Sequence, residues 1–249
     1  MQAIKFGLFL CWLHVLTLFQ KLLAKFRQFI IACTDEPDFV DVIVFNDMPL
    51  KCYQRHKNVN CPRKYCQHCR VNKLVSYINN AKVCMDIAHL VFTSQKIYDA
   101  VLAAWYRGVN IRFVTDSEML HVHGSKIRKL CSHNIPIHVA AQKTLMHHKF
   151  AIIDGEQRIL QLDSKERKKA ARVLKRRGIV MTGSLNWTIQ GTQNNFENVV
   201  ITSNRKVNAR YQLIFDNLYN VYEELKIIFN EYEPNEVVRI PDKSAKNYF

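Results

Sequence analysis

An α/β sandwich around one largely parallel sheet is the fold class this sequence predicts, and three observations predict it. Short apolar, β-branched runs alternate with amphipathic stretches of helical length from about residue 40 onward. The chain has 249 residues, 48% of them hydrophobic, which is enough to bury one good core. A long closing segment carries Leu213, Phe215, Leu218, Val221, Tyr222, Leu225 and Phe229 at helical spacing, a stripe that suits packing on a sheet.

Taken in order, residues 40–45 read as a strand and 70–80 as a helix. Then 82–89 (strand), 94–107 (helix), 109–115 (strand), 117–132 (helix) and 135–139 (strand) alternate regularly. Strands around Phe150 and Val180 and at 198–202 join the sheet, and a helix over 205–231 closes the domain. Between them, 163–178 reads as a basic helix. Asp163 and Glu166 stand at capping-box spacing, Gly178 serves as a stop, and the face carries Lys165, Arg167, Lys168, Lys169, Arg172, Lys175, Arg176 and Arg177. Tethered between two motif strands, this basic insertion at 156–177 is expected either to flank the cleft and hold phosphates or to form a solvated excursion.

A net charge of +15 and a pI near 9.5 imply a polyanionic partner, either nucleic acid or an anionic membrane, and charge does not separate the two. Residues 6–19 are apolar, bounded by Lys5 and followed by Lys21, Lys25 and Arg27. This run is short for a span, so it reads as a weak signal-anchor or an interfacial amphipathic helix. Basic residues on its C-terminal side favour a retained anchor over 1–33, with the body, residues 34–233, in the cytosol. Residues 234–249 form a tail.

Four of the eight cysteines crowd into one polar stretch: Cys52, Cys61, Cys66 and Cys69, with His56 and His68 interleaved. The Cys66-x2-Cys69 spacing suits a zinc knuckle, and Cys61 with Cys52 completes a tetrahedral set, His56 or His68 being substitutes for one thiolate. A structural zinc in an insertion at 52–69 is therefore expected, and disulfides are not in a cytosol-facing body. Cys11, Cys33, Cys84 and Cys131 read as core or anchor thiols.

The chemistry concentrates in two segments. His147 and Lys149 stand two apart in an apolar run that ends at Asp154, so on a strand both side chains share a face, while His148 turns the other way, toward the core. A neutral imidazole attacks a phosphodiester or carries its proton, and an ammonium stabilises the equatorial oxygens of a pentavalent phosphorus. Residues 182–187 bring Gly183, Ser184 and Asn186 into a strand-turn-helix corner that offers hydroxyl, amide and backbone N–H donors to an anion. One His-x-Lys pair alone is usually surface decoration; the two segments together are not.

The pattern H-x-K-x4-D followed by G-S-x-N, carried by His147, Lys149, Asp154, Gly183, Ser184 and Asn186, resembles the signature of the phospholipase D superfamily. Segments 146–152, 183–188 and 193–199 are similar to the mitochondrial phospholipase D/Zucchini branch, over roughly residues 40 to 232. The resemblance implies a phospholipase D-like α/β/α sandwich, catalysis without a metal cofactor, and an acidic residue at Glu197 that orients the catalytic histidine. It also implies a zinc-finger-like insertion and a place at the mitochondrial outer membrane. One departure is plain: 28 residues separate Asp154 from Gly183, far more than in such relatives.

Superfamily hydrolysis needs two histidines, and this chain has one H-x-K-x4-D motif. An isologous homodimer in which each subunit supplies His147, Lys149 and Asn186 to a shared cleft completes the set. The function so implied is a single-strand RNA endonuclease of the germ-line piRNA pathway, leaving 5′-phosphate ends through a phosphohistidine. Hydrolysis of cardiolipin to phosphatidate is the alternative enzyme, and non-catalytic RNA binding or tethering the alternative of another class.

Overall fold

The structure is a computed structural model that describes residues 37–45, 66–140, 145–174 and 176–225, with isolated positions 17, 20 and 22. The chain divides into two compact units, residues 1–38 and 39–249. In the first, Thr17, Gln20 and Leu22 are helical and exposed. The expected anchor at 1–33, the ligands Cys52, His56 and Cys61, and the tail at 234–249 otherwise lie outside the described residues. No helix among the described residues is long and apolar enough to cross a membrane.

In the second unit, eight strands form one sheet among the described residues: β1 (Val40–Phe45), β2 (Cys84–His89), β3 (Asn110–Asp116), β4 (Ile137–Ala140), β5 (Lys149–Ile153), β6 (Ile179–Gly183), β7 (Glu197–Thr202) and β8 (Glu223–Glu224). Their spatial order is β1-β7-β6-β5-β2-β3-β4-β8. The helices are α1 (Gln67–Asn79), α2 (Gln95–Tyr106), α3 (Ile127–Ser132), α4 (Glu156–Gln161), α5 (Ser164–Val173), α6 (Ile189–Gln193) and α7 (Arg205–Val221).

The expectation of a largely parallel sheet is corrected. Only β2 with β3 and β3 with β4 run parallel, each joined by a helical crossover; β5, β6, β7 and β1 add on antiparallel. The segments between β5 and β6 and between β6 and β7 leave and re-enter the sheet at the same end, so their short helices do not cross over it, and the sequence pattern of a doubly covered strand is apolar in either sense. The closing helix also stops early. It ends at Val221, and the chain turns into β8, which pairs with β4. The helix expected over 117–132 breaks at Gly124, whose φ of 78° suits a residue without Cβ, into a 3-10 turn (Glu118–Leu120) and α3.

Helices cover both faces. Leu74 and Ile78 of α1, Ile97, Val101 and Ala104 of α2 and Ile127 and Leu130 of α3 bury against Met85, Ile87, Ile111 and Phe113 on one face. On the other, Phe215 of α7 packs against Ala88, Val114, Phe150, Ile152 and Val180. A polar clamp fixes α7. Arg112 donates to both Asp86 oxygens (2.8 and 2.6 Å) and to Asp216 (2.8 Å), while Gln212 Nε2 donates to Asp86 (2.6 Å). The Arg112 guanidinium lies 4.9 and 4.8 Å from the ring centroids of Phe215 and Tyr219.

The strand registers give the sheet two functional ends. His89, Lys149, Gly183 and Glu197 lie at one end; Cys84, Asp154, Ile179 and Thr202 lie at the other. Five residues separate Lys149 from Asp154, about 16 Å along β5.

Candidate active site

The side chains of His147 and Lys149 meet at the first of these ends. Lys149 opens β5 opposite His89 of β2, and its ammonium lies 3.3 Å from both ring nitrogens of His147 and donates to the His147 carbonyl at 3.1 Å. Burial pulls the Lys149 ammonium below its ordinary pKa, and the Glu197 carboxylate opposes that shift. His147 is exposed, on an open rim. The loop before it is held by Asp116, whose carboxylate accepts from the Met146 N–H (2.9 Å) and the Glu118 N–H (3.0 Å).

Ser184 and Asn186 leave the end of β6 beside this pair. The Ser184 N–H donates to the Asn198 carbonyl (3.1 Å) and to its side-chain oxygen (3.2 Å), and Ser184 Oγ accepts from the Asn198 N–H at 3.1 Å. Gly183 is obligatory at this crossing, since a Cβ there would lie 2.1 Å from the Asn198 carbonyl oxygen. Asn186 Oδ1 is buried without a hydrogen-bond partner among the described residues. Next to it Trp187 stacks on His89, ring centroids 4.1 Å apart, and its carbonyl accepts from the Thr93 and Ser94 N–H groups.

Glu197 is brought to the Lys149 charge and accepts from the Asn195 amide (3.1 Å); within this one chain it makes no hydrogen bond to His147. Asp154 is not brought to the site at all. It sits at the far end of β5 with φ 53°, buried, its carboxylate accepting from the Lys82 (3.0 Å), Val83 (2.7 Å) and Cys84 (3.0 Å) N–H groups. It pins the end of β5 to the start of β2. His148 departs from its expected core position: it is exposed, with its ring edge-on to Phe150 at 5.5 Å, and its carbonyl accepts from the Leu90 N–H.

Of the two places expected for the basic insertion, the one beside the cleft is not taken. The insertion leaves β5 after Asp154 and returns into β6 at Ile179, both at the end away from His147, so α5 does not flank the cleft. Its cap forms as the spacing predicts, Asp163 accepting from the Glu166 N–H at 2.9 Å. Gly178, however, stops no helix. A Cβ there would lie 2.1 Å from the Asp154 carbonyl oxygen, so the glycine allows the two strands to approach. A small cleft lined by Glu156, Arg177, Ser203 and Arg205 opens at this same far end and takes no part in the His147 arrangement.

Of the expected zinc ligands, Cys66 caps α1 and is buried, and Cys69 is partly exposed one turn later. No group of three metal-binding side chains occurs among the described residues, which omit Cys52, His56 and Cys61. Cys84 and Cys131 are core thiols as expected, Cys84 buried in β2 and Cys131 donating to the Leu225 carbonyl at 3.3 Å.

Sequence reading missed His89, Asp116, Trp187 and Asn198. His89 and Asn198 become visible only when register sets them beside Lys149 and Gly183, and Asp116 only when β3 ends under the Met146 loop.

Comparison with known proteins agrees with this geometry. Residues 74–219 match the family model described as cardiolipin synthase, PLD-like domain. The Mitochondrial cardiolipin hydrolase of Drosophila melanogaster is 33% identical over 193 residues, covering 73% of this chain and 76% of that protein. That of Xenopus tropicalis is 29% identical over 185 residues, covering 73% and 77%. Among solved structures, the phospholipase D family member Nuc from Salmonella typhimurium aligns with a TM-score of 0.55 at 19% identity, covering 77% of this chain and all of its own, and NucT from Helicobacter pylori with 0.53 at 20%, covering 75% and 98%. These two share the fold. The chain therefore belongs to the phospholipase D superfamily, in its mitochondrial phospholipase D/Zucchini branch, and is a phosphodiester hydrolase.

Proposed function

We propose that His147 is the nucleophile of a metal-independent phosphodiesterase that cuts single-stranded RNA at the mitochondrial outer membrane, in the manner of the piRNA pathway. The observation that carries this reading is the exposed rim on which His147 and Lys149 stand, in a chain of net charge +15: an extended polyanion reaches such a rim without entering a pocket. His147 attacks phosphorus and displaces the 3′-oxygen, giving a phosphohistidine on the 5′-phosphate fragment; water then releases a 5′-phosphate and frees the imidazole. Lys149, Ser184 and Asn186 hold the equatorial oxygens through the transition state.

Protonation of the leaving oxygen needs a second acid, and a partner subunit's copy of the same histidine supplies it across a two-fold axis. Leu145, Ile189 and Phe196, 58%, 56% and 81% exposed, are apolar residues at this end, Ile189 opening α6 and the other two in loops, and support a subunit contact there. The dimer then brings Glu197 of either chain within reach of a histidine, where a carboxylate fixes the tautomer. Cys52, Cys61, Cys66 and Cys69 are proposed to hold a structural zinc, which metal analysis of the intact protein tests directly.

Hydrolysis of cardiolipin by the same residues is the second reading, favoured by the relatives named mitochondrial cardiolipin hydrolase. Incubation of the purified chain with labelled single-stranded RNA and, separately, with cardiolipin in EDTA decides between them. RNA products with 5′-phosphate ends, lost in His147→Ala, are expected; phosphatidate release without RNA cleavage overturns the RNA reading, and inactivity on both restores the tethering role.

A further inference from the structure

The insertion at the far end of the sheet is an amphipathic element with a purpose of its own. Ala170 of α5 buries against Val83 and Cys84 of the β2 strand region, with Leu162, Ile159 and Leu174 packed around it. Lys165, Lys168, Lys169 and Arg172 lie on the opposite face, at i, i+3, i+4 and i+7. The acidic groups nearby are engaged: Asp163 caps α5, Glu166 accepts from Lys169 (3.3 Å) and Glu156 pairs with Arg205 (3.1 Å). Lys165, Lys168, Arg172 and Arg176 are exposed and make no hydrogen bond or ion pair among the described residues. Three cations without counter-charges on one exposed face of α5, with Arg176 just beyond its end, suit a polyanionic partner.

Two observations select that partner. The chain enters the domain at this same end, where the Phe39 N–H donates to Ser203 Oγ (2.7 Å) and β1 starts opposite Thr202. The sequence before that point holds the apolar run 6–19 followed by Lys21, Lys25 and Arg27. In addition, α5 carries no aromatic side chain on which an unpaired base would stack. We infer that the exposed face of α5 is a contact for an anionic phospholipid surface, which turns the His147 end of the sheet away from that bilayer. The outward-facing site rests on the RNA reading, since cardiolipin in that same bilayer lies out of its reach, whereas the lipid contact is tested apart from cleavage.

Membrane attraction of about fivefold per basic residue makes three simultaneous contacts worth on the order of a hundredfold. The test is sedimentation of the full chain with vesicles of phosphatidylcholine alone and with roughly one part in five phosphatidylserine, at low and high salt. Native protein is expected to favour the anionic vesicles, and the combined variant K165Q/K168Q/R172Q/R176Q to lose that preference at least tenfold while its binding to neutral vesicles and its melting temperature hold. A smaller loss overturns the inference. So does a variant that keeps its lipid preference while losing affinity for single-stranded RNA, which assigns the helix to nucleic acid.

Discussion

The two ends of β5 carry the same short motif to opposite fates. At one end Lys149 and His147 stand at an exposed rim, and the polar groups beside them are left open, the Asn186 side-chain oxygen among them. At the other, five residues after Lys149, Asp154 is buried and its carboxylate accepts from backbone N–H groups of the β2 entry. A motif read as one catalytic unit thus separates into chemistry and architecture, because a strand of this length carries its termini farther apart than any side chain reaches. The exposed end is where a ligand is met; the end where Asp154 is buried is where the sheet is held together.

Substitutions can break that division, and the largest effect belongs to the rim. His147→Ala is expected to lower turnover by at least about a thousandfold, since it removes the nucleophile, with the thermal transition unchanged because the side chain is exposed. Asp154→Ala inverts this outcome. The buried Val83 and Cys84 N–H groups lose their acceptor, at roughly 1 to 3 kcal/mol each, so the melting temperature falls by about 10 °C while the folded fraction turns over at close to the native rate. An Asp154→Ala protein that melts like the native one but is inactive would return the aspartate to the reacting centre.

Breaking the α7 clamp comes next. Asp86→Ala leaves Arg112 buried beside Asp216 alone, and a loss of about 3 kcal/mol is expected by denaturant titration. Per unit of pH, the smallest effect is a titration. Burial, assisted by the Lys149 charge, pulls the His89 imidazole from 6.5 to about 3, so native His89 stays neutral over a range in which the unfolded chain takes up a proton. The unfolded state then binds more protons, and stability falls as pH drops from 6.5 toward 3, by up to about 1.4 kcal/mol per unit. His89→Phe keeps a ring against Trp187 and should flatten this acid limb; an unchanged slope would show that other groups set it.

Much of this was legible in the sequence, for reasons that particular residues make clear. Strand β1 and the two motif strands fall where apolar, β-branched runs place them, and Asp163 caps α5 as its spacing to Glu166 predicts. The sense of β5, β6 and β7 was not legible, because strands covered on both faces look alike whether parallel or antiparallel. The roles of Asp154 and Gly178 were hidden for a related reason: each answers a backbone group brought near by strand pairing, 70 residues away for Asp154 and Cys84. The basic insertion was recognised as a helix, but its position followed only from the direction in which β5 leaves the site.

The most direct test of the account is to locate the covalent intermediate. Rapid acid-free quenching of native enzyme during turnover of single-stranded RNA, followed by proteolysis and mass mapping, should place a phosphate-linked adduct on His147 and on no other side chain. An adduct on His89, His148 or another nucleophile, or efficient turnover with no adduct at all, would contradict it.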